Sequence, residues 1–314
     1  MDWRKGWDSN PKNRHGVSKM LSRSLYGLGL AAIAAISWGT IGLAQSYAQP
    51  TIDASWVVVF RLLFASCFFT TCFVLKKEYR LLDVDTLRSL FPWIILAASL
   101  ISVNNICFIY GVRSTGIAMG SAATIGSAPI WAGLLTQWLL KKPLNGRWWL
   151  GAVLAASGVT GMMISQANSW HIDVTGLAVC LLAGLCYAGF TLSSGHLVKD
   201  LSPLTSTTCI FFIAFLITVV VALILGHVPT GINHVDWMVF IYLGVVPTGL
   251  AFVLYTTALR FIAAGTAVAM TLLDPVTSFC LALTVAKEPL EAGALIGLTL
   301  ILLGLRLIAK NDKS

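Results

Sequence analysis

The segment TLLDPVTSF, Thr271 to Phe279, places a carboxylate beside a helix-breaking residue inside an apolar run from about Ile262 to Ala286. An Asp at mid-bilayer costs about 2.5–3.5 kcal/mol on insertion scales, so it normally faces a cavity or a partner. Such a carboxylate could exchange a proton, bind a cationic amine, or form a structural hydrogen bond to a neighbouring helix. We expect Asp274 to bind substrate and to couple its movement to protons.

Other polar and aromatic side chains inside apolar segments could also contact a solute. Asn104 and Asn105 offer amide donors and acceptors, or they join neighbouring helices. Because adjacent residues point about 100° apart on a helix, we expect one of the two to face a cavity. Aromatic rings could pack an apolar group or hold a cation, whereas rings near helix ends are typical of the membrane interface. The aromatic candidates for a substrate-binding site are Trp38, Tyr110, Trp131, Tyr187 and Tyr255.

Arg61 lies about two turns inside the second apolar segment. Its guanidinium could extend to the outer surface, pair with Asp53 at the helix end, or bind a substrate carboxylate. The sequence leaves these three alternatives open.

Membrane-spanning helices must position these residues. The chain has 314 residues, of which 57% are hydrophobic and 11% are charged, whereas a soluble domain is about 25% charged. A span needs about 20 apolar residues, and a helix satisfies its own backbone hydrogen bonds in lipid. We predict an all-α membrane protein with ten transmembrane helices, at about 25–46, 54–75, 91–111, 116–139, 147–165, 174–195, 204–226, 236–259, 264–286 and 291–309.

The basic residues predict the orientation of these helices. Of the 21 Lys and Arg, eighteen fall in segments on the side of the N-terminus, Arg113 and Lys287 fall on the other side, and Arg61 is inside a span. If translation starts at Met20, as the polar residues before it suggest, thirteen remain against two. This positive-inside bias predicts an inner (plasma) membrane protein with both termini cytoplasmic. The net charge of +8 is then a consequence of topology, and nucleic acid is not expected as a partner.

The two halves of the chain resemble each other. At an offset of 146 residues, Pro129 matches Pro275, Gly151 matches Gly297 and Gly158 matches Gly304; at an offset of 149, Trp38 matches Tyr187. Five spans per half put the second half into the membrane from the opposite side, as in the inverted repeats of many secondary transporters. We therefore predict a cytoplasmic segment at 1–24, five-helix repeats at 25–165 and 166–309, and a cytoplasmic tail at 310–314.

This pattern resembles the EamA type of the drug/metabolite transporter superfamily. The resemblance is carried by Trp38-Gly39, by Arg61, by the paired prolines and by the Asp274-Pro275 step followed by KEPL at 287–290. It implies a central cavity lined mainly by helices 1, 3, 4, 6, 8 and 9, and the export of amino acids or other small metabolites, with uptake in some members. It also implies an acidic residue just after helix 4, where this chain has Lys142; Glu288 keeps one in the second half.

The repeat adds further site candidates. Met270 lies four residues before Asp274 and should share its helix face, and Thr124 occupies the matching position of the first half. Since the half-1 counterpart of Asp274 is Ala128, we expect the second half to supply the charge of the site. Pro129 and Pro275 are expected to act as kinks or gating hinges, because each removes a backbone donor.

The sequence predicts a secondary transporter that exports an amino acid or amine by alternating access, with protons as a coupling ion. Uptake of a small metabolite or cofactor is the alternative within this class, and a membrane enzyme or assembly subunit is the alternative outside it. The seven Cys lie in apolar runs and the five His lie in or near loops, without a metal-type or catalytic spacing. We therefore expect no enzymatic activity, cofactor or metal, and a monomer or homodimer.

Overall fold

A computed structural model describes residues 11–49, 51–80, 82–115, 117–165, 173–225, 227–285 and 292–311. Glu288 and the KEPL segment, which the sequence singled out, lie outside these described residues. In the first half of the chain the α-helices are α1 (Pro11–Trp38), α2 (Ile41–Gln45), α3 (Ala54–Leu75), α4 (Val84–Thr115), α5 (Ile117–Leu139) and α6 (Gly146–Ser165). In the second half they are α7 (Val174–Leu197), α8 (Pro203–Leu225), α9 (His234–Leu243), α10 (Ala251–Ala258), α11 (Ala264–Met270), α12 (Leu273–Thr284) and α13 (Ala292–Asn311).

The described chain is helical and apolar enough to be an integral membrane protein. Seven helical segments are long and apolar enough to cross a bilayer, at Ser22–Gln45, Ala54–Leu75, Val84–Thr115, Val174–Leu197, Pro203–Leu225, His234–Ala258 and Ala264–Leu281, and a shorter apolar helix covers Gly293–Ala309. Side-chain caps set several helix starts: Asp53 accepts from the Ser55 N–H, and Asp173 accepts from the Thr175 N–H.

Three predicted helices are interrupted near their middle. The predicted segment 25–46 breaks at Gly39 and Thr40 between α1 and α2, and the segment 236–259 contains a π-helix at Gly244–Leu250 between α9 and α10. The segment 264–286 breaks at Thr271 and Leu272 between α11 and α12. A continuous apolar pattern does not reveal these interruptions, because apolar composition continues through them.

Prolines account for two of the interruptions. Pro275 has no N–H for the Thr271 carbonyl one turn earlier, which accepts instead from the Asp274 N–H at 2.9 Å. Pro247 likewise frees the Leu243 carbonyl, which accepts from the Thr248 hydroxyl at 2.7 Å. Each freed carbonyl is therefore satisfied locally. The turn beside Pro275 is tighter than an α-helical turn, and the π-helical turn around Pro247 is wider.

Close helix pairs hold the bundle together. α6 packs on α13, α4 and α5 pack on α7, α3 packs on α8, and α1 packs on α10. At the α6–α13 contact an added Cβ on Gly158 would lie 2.6 Å from the Gly297 carbonyl oxygen, and one on Gly151 would lie 2.8 Å from that of Gly304. Such close backbone approach is typical of small-residue interfaces between membrane helices.

Candidate substrate cavity

A cavity of about 180 Å³ lies where the interrupted helices meet α3, α4, α5, α7 and α8. Three of its walls are the interruptions themselves: Trp38 and Ile41 flank the α1–α2 break, Pro247 and Thr248 belong to the π-helix, and Thr271 lies in the α11–α12 break. The remaining lining residues are Arg61, Leu62, Ile101, Asn104, Asn105, Phe108, Thr124, Ile125, Ala128, Tyr187, Phe211, Phe252 and Asp274. The helix breaks thus bring backbone and polar groups to an otherwise apolar space, the arrangement in which irregular backbone is tolerated inside a membrane.

Asp274 lines this cavity from the first turn of α12. The Ser278 hydroxyl lies one turn further along α12, 3.4 Å from one carboxylate oxygen, and it donates to the Gly39 carbonyl at 3.0 Å. Gly39 has no room for a side chain, since an added Cβ would lie 2.7 Å from the Asp274 carbonyl oxygen. The α1–α2 break and the start of α12 therefore hold each other in place, and together they position the carboxylate.

Asn104 and Asn105 both line the cavity, but their side chains bond to different elements. The Asn104 amide donates to the Ala183 carbonyl at 2.9 Å and so ties α4 to α7. The Asn105 amide donates to the Ile101 carbonyl of its own helix at 2.8 Å, and its oxygen accepts from the Arg61 guanidinium at 2.7 Å. Asn105 is thus the amide that acts on a charged group of the cavity.

Arg61 therefore reaches the cavity rather than the outer surface or Asp53. Asp53 is paired with Arg113, whose guanidinium nitrogen lies 3.2 Å from its carboxylate. Burial raises the pKa of Asp53, but hydrogen bonds from Ser55 and the charge of Arg113 outweigh it and hold that pKa below its ordinary value. The Arg61 Nε–H is buried and has no hydrogen-bond partner among the described residues.

The other predicted site residues fall into two groups. Trp38 and Tyr187, matched by the internal repeat, both line the cavity with their ring centroids 6.4 Å apart in a T-shaped contact. Thr124 also lines it, and its hydroxyl donates to the Cys180 carbonyl at 3.1 Å. The lining residues do not include the other predicted members, Tyr110, Trp131, Tyr255 and Met270.

Physical reasons separate those four residues from the cavity. Tyr110 is 43% exposed near the end of α4, as expected of a ring at the membrane interface. Trp131 packs beside Ala128 and Ala132, one turn beyond the cavity. Tyr255 is fully buried behind Trp38, with ring centroids 5.2 Å apart. Met270 is the last residue of α11 and Asp274 belongs to α12, so the two do not lie on one continuous helix as the predicted shared face requires.

Sequence reasoning missed several lining residues. Pro247 and Thr248 carried a signal, because a proline between Gly244 and Gly249 inside an apolar span indicates an interrupted helix. Phe108, Phe211 and Phe252 carried none, since an apolar side chain facing a cavity looks the same in the sequence as one facing lipid.

Within the described residues no group of three or more His, Cys, Asp or Glu could hold a metal ion.

Comparison with known proteins identifies the family of this chain. The model of the EamA-like transporter family matches residues 25–164 and 174–310. The chain belongs to the EamA-like transporter family. It is 31% identical over 283 residues to "Uncharacterized transporter YwfM" of Bacillus subtilis (strain 168), covering 88% of this chain and 91% of that protein.

Two further comparisons extend this result. "Uncharacterized transporter YetK" of Bacillus subtilis (strain 168) is 27% identical over 230 residues, covering 70% of this chain and 68% of that one. A solved structure described as "Crystal structure of protein" superposes with a TM-score of 0.76 at 14% identity, covering 91% of this chain and 96% of that one. At that identity the likeness shows the fold alone.

Proposed function

We propose that this EamA-family protein is a secondary transporter that exports an amino acid or amine across the inner (plasma) membrane by alternating access. The observation that carries the proposal is the cavity, which is lined from both halves of the chain and contains one carboxylate, Asp274. Ammonium groups of amino acids and amines are natural partners for a carboxylate held away from bulk water. The apolar and aromatic remainder of the wall suits the substrate's side chain.

Symmetry between the halves supports alternating access through ten spans in two inverted repeats. The family model matches twice, at 25–164 and 174–310, close to the predicted repeats. In the repeat alignment Gly151 matches Gly297 and Gly304 matches Gly158. The Gly151–Gly304 contact therefore corresponds to the Gly297–Gly158 contact, as expected for a pair of helices related by a two-fold axis. Two inverted halves around a shared site can rock to expose it to either side.

The prolines of the two halves supply candidate hinges. Pro129 lies inside the continuous helix α5, whereas Pro275 lies directly after the α11–α12 break. The helix that contains the matched proline is therefore continuous in the first half and interrupted in the second. We propose that transport exchanges such forms, with Pro129 and Pro275 as the positions that bend.

Asp274 is also the proposed coupling group. A carboxylate that releases its proton on one side of the membrane and takes one up on the other can exchange protons for a cationic group. Substrate and proton then occupy the same carboxylate in turn, so that movement of one is driven by the gradient of the other.

The test is transport by purified protein in liposomes with an imposed pH gradient. Asp274→Asn should fold but lose at least about 90% of proton-driven amino acid or amine movement, because the exchanging group is gone. Asp83→Asn is the matched control: it also removes one carboxylate, but this one accepts from Thr86 at the start of α4, and Asn caps a helix as well as Asp. Unchanged proton dependence in Asp274→Asn would rule out the coupling role.

A further inference from the structure

Arg61 is a second charged group of the cavity, contributed by the first half of the chain. It lies about two turns into α3, in a membrane-spanning segment where a cation is expensive. One of its N–H groups is bonded to Asn105, which is a neutral acceptor, and its Nε–H has no partner among the described residues. A guanidinium has five donors in a planar fork that matches a carboxylate.

Arg61 and Asp274 share the cavity without neutralising each other. Among the described residues the ion pair within 4.0 Å is Asp53–Arg113 at the end of α3, so the two cavity charges are further apart than a salt bridge. Each is partly buried. Charges held away from water are normally paired, because an unpaired one is costly. One anionic and one cationic group in a single small molecule would pair both.

We propose that the cavity is built for a zwitterion, an α-amino acid whose carboxylate binds the Arg61 fork and whose ammonium group binds Asp274. This inference rests on the proposed transport function and narrows its substrate class. A simple amine satisfies Asp274 but leaves Arg61 unpaired, and a simple carboxylate does the reverse. The cavity therefore selects for the presence of both groups on one molecule.

Asn105 is the positioning residue for this recognition. Its N–H₂ is held by the Ile101 carbonyl, which fixes its oxygen toward Arg61. The oxygen holds one edge of the guanidinium, and the Nε–H, which has no partner among the described residues, can meet a carboxylate. Asn105 thus acts on the substrate through Arg61.

The first experiment compares matched probes in liposomes containing the full chain. Each set keeps one apolar body and varies the charged groups: alanine, ethylamine and propionate; leucine, isoamylamine and 4-methylpentanoate; phenylalanine, phenethylamine and 3-phenylpropionate. At least one amino acid should be transported, and transport of its amine and acid partners should be about 100-fold less efficient or weaker still. The reason is that each partner leaves one charged group of the site unpaired. Asp274-dependent transport of an amine as fast as its amino acid overturns the zwitterion inference and leaves the proposed function standing. Transport of none of the nine compounds overturns both.

The second experiment removes the carboxylate receptor. In Arg61→Gln the transport efficiencies of the amino acid and its amine should differ by no more than about threefold, because the affinity for the amino acid falls. Arg113→Gln, which removes the same group from the Asp53 pair outside the cavity, should keep the wild-type preference. Arg61→Gln with the wild-type preference overturns the inference.

Asn105→Ala distinguishes positioning from a general structural effect. It should raise KM for the amino acid about tenfold, with little change in kcat and none in the KM of the amine. An equal rise for both compounds overturns the positioning role.

If Arg61→Gln does not fold, Arg61→Lys decides the inference: a point charge without the fork should weaken the amino acid preference, and an undiminished preference overturns the inference.

Discussion

Neighbouring residues of one helix can serve unrelated purposes in this protein, as Asn104 and Asn105 show. Asn104 bonds to the Ala183 carbonyl on α7, and Asn105 bonds within α4 and to Arg61. The first bond joins two helices and the second orients a charge. Their substitutions should therefore separate stability from substrate recognition.

We predict that Asn104→Leu lowers stability without changing substrate preference. The variant loses an interhelical hydrogen bond, worth about 0.6 kcal/mol on average and up to about 1.7 kcal/mol in membrane proteins. Thermal unfolding of the detergent-solubilised protein should show a midpoint a few degrees below wild type. The matched comparison is Asn105→Leu, which also loses a hydrogen bond but should in addition lose amino acid affinity, because its bond is to Arg61. A reversal of these two phenotypes would contradict the assignment of the two amides.

At this scale the sequence identified residue types better than their directions. Asp274, Trp38 and Tyr187 could be selected because a carboxylate or a repeat-matched aromatic inside an apolar span is unusual. Arg61 could not be assigned, since a four-bond side chain reaches either a helix end or a cavity. The expectation that the second half supplies the charge followed from comparing matched positions, and Arg61 adds a charge from the first half.

Glycines and prolines define the elements in this protein more than apolar periodicity does. Gly151 and Gly158 on α6 meet Gly304 and Gly297 on α13 through their backbones. Gly161, on the same α6 helix, has open space where a Cβ would be. The sequence offers the same residue type in both places, and only the packing distinguishes them.

We predict that Gly158→Leu strongly destabilises the protein and Gly161→Leu does not. The new Cβ at Gly158 would lie 2.6 Å from the Gly297 carbonyl oxygen, so α6 and α13 must move apart. Overpacking of this kind typically costs about 1–3 kcal/mol. Thermal unfolding midpoints and the yield of monodisperse protein are the measurements. Equal losses in both variants would mean that helix propensity, rather than the α6–α13 contact, determines the effect.

At the α11–α12 break we predict that one substitution, Pro275→Ala, maintains or raises stability but lowers transport activity. Pro275→Ala restores the N–H donor to the Thr271 carbonyl, which now accepts from Asp274. An interior proline costs a helix about 3 kcal/mol, so the variant should unfold at the same temperature as wild type or higher. Transport should fall at least about tenfold, because a continuous helix removes the proposed hinge and rotates Asp274.

The control for this variant is Pro92→Ala. Pro92 lies inside α4 on an exposed position away from the cavity, so its replacement should leave the transport rate unchanged. Transport by Pro275→Ala at the wild-type rate would remove Pro275 from the mechanism. The sequence predicted a kink at this residue but not the separation of two helices, because composition does not show which freed carbonyl finds a new donor.

On the scale of the whole molecule, a carboxylate joins the two halves at each end of the bundle. At one end Glu78 accepts from the Thr205 hydroxyl at 3.0 Å and from the Ser202 hydroxyl. At the other end Asp236 accepts from the Gln49 N–H at 2.9 Å and from its side-chain amide at 2.8 Å. In the proposed topology the Glu78 bridge is cytoplasmic and the Asp236 bridge is external.

These bridges occupy matching places in the proposed repeats. Each joins the connection after the first helix of one half to the connection after the second helix of the other half. Aromatic rings of α8 and α10 adjoin the cavity: Phe211 and Phe252 are 4.6 Å apart, and Phe252 and Tyr255 are 6.5 Å apart. The proposed alternating access requires the two bridges to open in turn.

We predict that breaking the two bridges shifts the conformational equilibrium in opposite directions. Thr207, buried between α8 and α10 toward the cytoplasmic end, is the reporter position; Thr207→Cys is introduced after replacement of the native cysteines. Glu78→Ala should speed labelling of this cysteine by a membrane-impermeant thiol reagent from the cytoplasmic side, by about tenfold for each 1.4 kcal/mol lost from the closed form. Gln49→Ala should slow it, because loss of the external bridge favours the form that is closed toward the cytoplasm.

Asp83→Ala is the control for this pair, since the Asp83 carboxylate accepts from Thr86 at the start of the adjoining helix α4 and does not join the halves through that bond. Its labelling rate should equal that of the parent protein. If Glu78→Ala and Gln49→Ala change the rate in the same direction, the effect is general loosening and not a shift between two states. Opposite changes require one equilibrium that both ends of the molecule share, and this is the property that the proposed alternating access between inverted halves needs.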